Sequence, residues 1–193
     1  MLLPGLFGCR ERLGLLLDTW RVVCYCILNE SGHPTEIREK RISTRFNDEC
    51  TYTGEWLGDF CDGYGIIEYY NGETYKGYLK RGKPHGEGTV LLTDGSTYKG
   101  EWEEGLFSGK GLYESHDKRW TYEGGWKKDM FHGKAIVRFA DGSYKIGNFK
   151  EWMMDGAGVY VNASLGVYEG FFKENEFEGL GVYSYNWGMI YEG

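Results

Sequence analysis

The sequence predicts an all-β protein: an elongated single-layer antiparallel sheet of about six tandem β-hairpins of 23 residues, with an N-terminal capping segment. Three observations predict this fold. A motif recurs at a fixed spacing, apolar and polar residues alternate within each copy, and turn dipeptides stand between copies. Such a period is typical of arrays in which each unit packs only against its neighbours. Because glycine recurs every few residues and disfavours helix, we expect almost no helix over residues 52–193.

Each copy begins with Tyr-x-Gly-x-Trp or a close variant, and Gly-x-Gly follows at positions 12 and 14 of the unit. The third copy is one residue longer than the others. The fifth departs at its first position, where Lys145 stands beside Tyr144. The copies are residues 52–74, 75–97, 98–121, 122–144, 145–167 and 168–190, and a seventh begins at 191.

The alternation within a copy predicts two strands. Positions 1, 3 and 5 carry Tyr, Gly and a large apolar residue, whereas positions 2, 4 and 6 are mostly polar, which is typical of a strand with one buried face. The second half is apolar and β-branched, as in residues 88–92, and also indicates a strand. We expect the stretch Lys80–His85 to form the turn between them. Asn71-Gly72, Asp94-Gly95 and Asp141-Gly142 are expected to join one hairpin to the next.

Glycine is costly inside a strand and usually marks the close approach of another group. Each Gly-x-Gly faces a strand that carries Tyr and Trp. We therefore expect aromatic rings to lie across both of its glycines, as at Gly109 and Gly111, so that a ladder of rings forms the core. A side chain added at Gly109 would then meet a ring.

Residues 1–51 are predicted to be partly irregular, with one or two capping strands over Thr19–Asn29 and Glu36–Phe46 that cover the open edge of the first repeat. Met1–Leu17 is apolar but interrupted by charges, so it does not read as a membrane span. No basic segment precedes its apolar run, which argues against a signal peptide. The sequence stops three residues into a unit, as expected for a fragment, a truncated product or one region of a longer protein.

The net charge of −7 lies entirely in the repeats, which hold 15 basic and 22 acidic residues. Nucleic acids and anionic lipid headgroups favour basic surfaces, so we expect neither nucleic acid nor, by default, a membrane as partner. The five cysteines, Cys9, Cys24, Cys26, Cys50 and Cys61, have no disulfide or zinc spacing and are expected to be buried thiols of a cytosolic protein.

The sequence predicts no catalytic residues, no metal site and no cofactor. Residues 105–111 resemble a phosphate-binding loop, but three residues rather than four separate the glycines, and glycine rather than Ser or Thr follows the Lys. His85 and His132 each precede a repeat glycine and are interpreted as turn residues. A general base needs an orienting partner, and the pattern supplies none.

The pattern Tyr-x-Gly-x-Trp…Gly-x-Gly…Asp-Gly at 23 residues resembles the MORN repeat (membrane occupation and recognition nexus) over Tyr52–Gly193. The resemblance implies a twisted sheet of hairpins with a groove along one side. It also implies a scaffold or interaction role. Members of that family occur in ciliary, flagellar and cytoskeletal proteins, in junctional membrane proteins, and beside catalytic domains in larger enzymes.

We therefore expect a non-catalytic protein–protein interaction scaffold whose groove holds a partner peptide or helix. The expected location is cytoplasmic, in a cytoskeletal or ciliary assembly. Side chains at positions 2 and 4 should line the groove, with two exposed aromatics as interface anchors. The candidate partner-binding residues are Tyr78, Phe171, Glu55, Lys76, Lys99, Glu101 and Glu123.

Two alternatives remain open at this point. In the first, the chain is the regulatory region of a longer enzyme or exchange factor. In the second, it is a membrane-targeting module that binds lipid headgroups. Tyr78 and Phe171 also have an alternative role, which is packing against a neighbouring hairpin. The sequence leaves the oligomeric state undetermined.

Overall fold

The computed structural model describes residues 38–46 and 49–193, and these residues form fourteen β-strands and no helix. The strand expected over Thr19–Asn29, and Cys9, Cys24 and Cys26, lie outside the described residues. The strands are β1 (Arg38–Phe46), β2 (Cys50–Leu57), β3 (Phe60–Tyr69), β4 (Thr74–Lys80), β5 (Lys83–Leu91), β6 (Thr97–Glu103), β7 (Leu106–Glu114), β8 (Trp120–Lys127), β9 (Met130–Phe139), β10 (Tyr144–Lys150), β11 (Met153–Asn162), β12 (Gly166–Lys173), β13 (Glu176–Tyr185) and β14 (Ile190–Glu192).

All fourteen strands belong to one open sheet, in which spatial order equals sequence order and every neighbouring pair is antiparallel. At about 4.8 Å between strands, the described sheet extends for about 60 Å. The predicted fold class, a single-layer antiparallel array of hairpins, is confirmed. β1 pairs with β2 along the edge of the first repeat, where the capping strand over Glu36–Phe46 is expected.

The turn inside each hairpin is only two residues long. Arg81 and Gly82 both have positive φ, at 49° and 80°, as a type I′ turn requires. The prediction of a turn over Lys80–His85 is wrong in its extent, because β5 already begins at Lys83. His85 and His132 are correspondingly strand residues of β5 and β9, and not turn residues.

The turns between units lie where the dipeptides predict them. The side chain of Asn71 accepts a hydrogen bond from the Glu73 N–H, at 3.0 Å, and Asp94 accepts one from the Ser96 N–H, at 2.8 Å. Gly72 and Gly95 follow with φ of 96° and 88°. Asp117 forms the same turn in the longer third unit, where Lys118 adopts the left-handed conformation that glycine has elsewhere.

The core is a ladder of aromatic side chains on one face of the sheet, here called the core face. Tyr98 and Trp102 are almost fully buried, at 0% and 2% exposure. The Tyr98 ring stacks on Phe107 at 3.8 Å between centroids and meets Trp126 of the next unit edge-on at 5.1 Å. Each unit therefore completes its core with a ring from its neighbour, which is why the fold needs tandem copies.

The tyrosine at position 1 bends back over the sheet and donates a hydrogen bond to the carbonyl of position 4. The distance is 2.8 Å from Tyr98 to Glu101. Burial raises the pKa of the Tyr98 hydroxyl above its ordinary value, and the nearby carboxylates of Glu101 and Glu87 raise it further. The same bond joins Tyr52 to Glu55, Tyr75 to Tyr78, Tyr122 to Gly125 and Tyr168 to Phe171.

The ladder tyrosines cover the glycine at position 14, as expected, and also reach the glycine at position 3, as at Gly100, but no ring covers the glycine at position 12. A Cβ at Gly111 would collide with the Tyr98 ring. A Cβ at Gly109 would instead meet the Glu101 carboxylate, and one at Gly133 would meet nothing within 4 Å. Position 12 is glycine because it adopts a positive φ, 57° at Gly109, beside a β-bulge where the register shifts. The expectation of a ring over Gly109 is therefore wrong.

Candidate partner-binding surface

The second face of the sheet, here called the outer face, carries positions 2 and 4 of each unit and the residues paired with them across the strands. Residues paired across antiparallel strands share a face, so the strand register shows on which face of the sheet each side chain lies. The strands pack against their sequence neighbours within one layer. No second layer covers the outer face in the described part of the chain.

The structure places all seven candidate partner-binding residues on the outer face. Tyr78 and Phe171 are 52% and 54% exposed. Lys76, Lys99, Glu101 and Glu123 are exposed as well, and Glu55 is half-buried. Tyr78 lies on β4 and Phe171 on β12, however, so eight strand spacings, or about 38 Å, separate them. The structure does not bring these two aromatics into one site.

Tyr78 packs against the neighbouring hairpin while keeping half of its surface exposed. Its ring meets that of Tyr64, its cross-strand partner, edge-on at 5.3 Å. Tyr64 is itself 42% exposed. The pair is thus a small exposed aromatic cluster, and the next outer-face positions along β4 are the polar residues Lys76 and Thr74.

Three of the candidate carboxylates have local partners. Glu55 accepts a hydrogen bond from the Tyr64 N–H at 3.2 Å. Glu101 accepts one from the Lys110 N–H at 2.9 Å, and both bonds lie at the β-bulge of their unit. Glu123 forms an exposed ion pair with Arg138 at 2.9 Å. These groups hold the hairpins in shape, so their role is at least partly structural.

The sequence interpretation missed an apolar area of the outer face that extends over the last units. Ile146 on β10 pairs with Val159 on β11, and Val161 pairs with Val167 on β12. Ile146, Val167 and Phe171 are 45%, 37% and 54% exposed. We call this area the outer apolar patch, and it consists of Tyr144, Ile146, Val159, Val161, Val167 and Phe171.

A signal for the outer apolar patch is present in the sequence. The last position of a unit is threonine in the first three copies, Thr74, Thr97 and Thr121, and becomes Tyr144, Val167 and Ile190 in the following ones. Position 2 likewise changes from Thr or a charged residue to Ile146 in the fifth unit. Comparing the exposed positions between copies, rather than within one copy, would have revealed the change.

One carboxylate lies within the patch. Glu169 pairs with Val159 on one side and Val182 on the other, and it stands between Val167 and Phe171 on its own strand. It is exposed. Unlike Glu55, Glu101 and Glu123, it makes no hydrogen bond or ion pair with any described residue.

The core face is interrupted once, in the fifth unit. Lys145 occupies the position of the ladder tyrosine and is half-buried, with its ammonium 5.6 Å from the centre of the Tyr160 ring. Burial lowers the pKa of Lys145 below its ordinary value, and Glu176 opposes that shift. The side chain of Met154 takes the place of the missing ring above Gly147 and Gly158.

The described residues contain no group of three or more His, Cys, Asp or Glu side chains that could hold a metal ion. Cys50 and Cys61 are buried in the core. In the same part of the chain, no helix has the length and apolarity needed to cross a membrane.

The family model of the MORN repeat matches residues 52–74, 75–97, 98–118, 122–144 and 168–190. The chain belongs to the MORN-repeat family. The unit at 145–167, which has Lys145 at its first position, is not among the matched segments, although the structure shows it as the β10–β11 hairpin. The MORN repeat is a structural repeat and not a kind of enzyme.

Among solved structures, the chain is similar to the TCP domain of SAS-4 (dCPAP) of Drosophila melanogaster, solved in complex with a proline-rich motif of Ana2 (dSTIL). The two chains are 12% identical, and the similarity covers 94% of this chain and 90% of that one, with a TM-score of 0.40. At this level the likeness carries no argument about function. None of the curated proteins compared with this MORN-repeat chain matches it.

Proposed function

We propose that the chain is a non-catalytic protein–protein interaction scaffold that holds a partner peptide or helix along its outer face. The observation that carries the proposal is the uncovered outer face, with its half-exposed aromatics Tyr78 and Phe171 and the outer apolar patch. Exposed aromatic and aliphatic groups on a rigid surface are typical of interface anchors. The rigidity comes from the opposite face, where the ring ladder fixes the backbone.

The acidic charge of the array favours a protein partner over a membrane. The repeats hold seven more acidic than basic residues, whereas the cytoplasmic leaflet is negatively charged and attracts basic segments. A cytoplasmic location in a cytoskeletal or ciliary assembly completes the proposal, and the support for that part is the family alone. The competing function is a membrane-targeting or regulatory region of a longer enzyme or exchange factor.

Affinity purification followed by mass spectrometry tests the proposal, with three single variants beside the wild-type chain. We expect Tyr78→Ala or Phe171→Ala to deplete at least one partner, because removing an interface anchor typically costs about 2 kcal/mol or more. The melting temperatures of these two variants should stay close to that of the wild type. Trp102→Ala should instead unfold the array, since truncating a buried aromatic costs about 3–5 kcal/mol.

Two results would contradict the proposal. If the wild-type chain co-purifies no protein but floats with anionic liposomes, the membrane-targeting alternative is correct. If both Ala variants melt as early as Trp102→Ala, the two side chains belong to the core and do not form a binding surface.

A further inference from the structure

The outer face is chemically divided along the array. On the strands of the first three units, Thr, Lys and Glu occupy most of the positions where β10–β12 present Ile, Val and Tyr, and the apolar residues Ile66, Leu91 and Leu112 each pair across the strands with Thr, Lys or Glu. The register makes the apolar positions contiguous: Ile146 lies beside Val159, and Val161 lies between Tyr144 and Val167. A partner that needs a contiguous aliphatic surface on this face therefore binds at the last units.

The backbone of the patch restricts the conformation of what covers it. The N–H and C=O groups of β10, β11 and β12 are already paired with strands on both sides. An extended segment laid on this face would bury its own backbone groups without partners, which is costly. A helix satisfies its backbone internally and buries an apolar stripe against a sheet face.

Charge specifies the partner further. Glu169 lies among four apolar neighbours without a partner of its own in the described chain. Covering the patch with an apolar surface alone would bury an unpaired carboxylate, which is strongly unfavourable. Residues 145–193 hold three lysines and seven acidic residues, so this quarter of the chain favours a basic partner.

We propose that the outer apolar patch binds an amphipathic helix of a partner protein, with Lys or Arg of that helix paired to Glu169. The inference rests on the proposed scaffold function and names the site and the chemistry of the partner. Ile136 on β9, opposite Ile146, and Val182 on β13, opposite Glu169, extend the apolar surface on either side of the patch, so that it spans four strand spacings, or about 19 Å. A helix of about 13 residues covers this distance.

A helix-biased peptide library of roughly 18 residues, displayed on phage and panned against the full chain, tests the proposal. We expect the selected peptides to carry apolar residues at i, i+3, i+4 and i+7 with Lys or Arg beside them. Glu169→Lys should weaken such a peptide at least about tenfold. Replacing the basic residue of the peptide by Glu should restore binding to Glu169→Lys, which a merely misfolded variant would not do.

Glu87→Lys is the matched control, because Glu87 is also an exposed carboxylate of the outer face but lies on β5, opposite Glu101 and away from the patch. It should leave peptide affinity unchanged. Peptides that bind the wild type but are indifferent to both Glu169→Lys and Ile146→Asp would overturn this inference and leave the scaffold function standing. If the selection yields no binding peptide, that result would count against both this inference and the scaffold function, whether or not vesicles of anionic lipid bind the chain.

Discussion

Where the first position of the repeat carries a ring, it is tyrosine rather than phenylalanine because the hydroxyl has a defined partner. The ring covers two glycines, while its oxygen donates to the carbonyl of position 4, at the point where the bulge removes that carbonyl from the regular ladder. A single residue thus supplies both the core contact and the missing hydrogen bond, as Tyr75 does for Tyr78.

Replacing one of these tyrosines by phenylalanine tests the role of the hydroxyl alone. We expect Tyr98→Phe to lower the free energy of unfolding by about 1 kcal/mol, because the Glu101 carbonyl loses its donor while the ring stays in place. Urea denaturation of the purified chain measures the change. Tyr191→Phe, at a site that is 64% exposed, is the control and should be neutral. Equal effects of the two substitutions would contradict this role.

The buried hydroxyls also predict how stability depends on pH. Burial raises the pKa of Tyr52, Tyr75, Tyr98 and Tyr122 in the folded chain above the unfolded value of about 10. Folding therefore favours the protonated phenol. This stabilisation is complete below about pH 10 and is lost as the pH rises further.

Urea midpoints measured at about pH 8 and about pH 11 test this dependence. The midpoint should fall at the higher pH, and it should fall less in Tyr98→Phe, which has one titrating group fewer. A fall that is just as large in the variant would show that Tyr98 does not contribute.

At the scale of the hairpin, the sequence predicted the strands and the turns between units, since the period-two alternation and the Asn-Gly and Asp-Gly dipeptides depend on local chemistry alone. It did not predict the bulge at position 12. Gly109 and Gly111 are identical in the sequence, but one is required by its φ angle and the other by a ring above it. Only the three-dimensional register separates the two causes.

The binding surface was predicted less completely than the hairpins. The interpretation placed Tyr78 and Phe171 on the exposed face correctly but treated them as a pair. Their distance along the array, and the contiguity of Ile146 with Val159, depend on which strands are neighbours. Their role as binding residues stays a prediction.

The fifth hairpin has Lys145 in place of the ladder tyrosine, and Met154 compensates for the missing ring. Met154 fills the space of the ring that Lys145 does not supply. We expect Lys145→Tyr alone to destabilise the chain by about 1–3 kcal/mol, because the new ring and Met154 compete for the same volume. The double variant Lys145→Tyr/Met154→Phe should recover the stacked pair seen at Tyr122 and Phe131, at 3.7 Å.

A double-mutant cycle measures this coupling through the free energies of unfolding of the four proteins. Coupling of about 0.5–3 kcal/mol is expected for residues that share a packing site. Additive effects of the two substitutions would show that Met154 does not occupy the ring position.

At the scale of the whole molecule, sequential strand order makes the protein an extended plate rather than a sphere. A compact protein of this length has a radius of gyration of about 16 Å. We expect small-angle X-ray scattering to give a clearly larger radius and a maximum dimension of about 60 Å or more. A value near that of a sphere would contradict the open array.

Because strand order follows the chain, β1 and β14 lie at opposite ends of the sheet. A pull applied to these two strands acts perpendicular to them and loads the ladder hydrogen bonds one strand pair at a time rather than in parallel. Such a sheet yields at low force, hairpin by hairpin, and each released hairpin lengthens the chain while the rest stays folded. Under tension the protein would therefore behave as a soft extensible tether, in contrast to its rigidity as an unloaded surface.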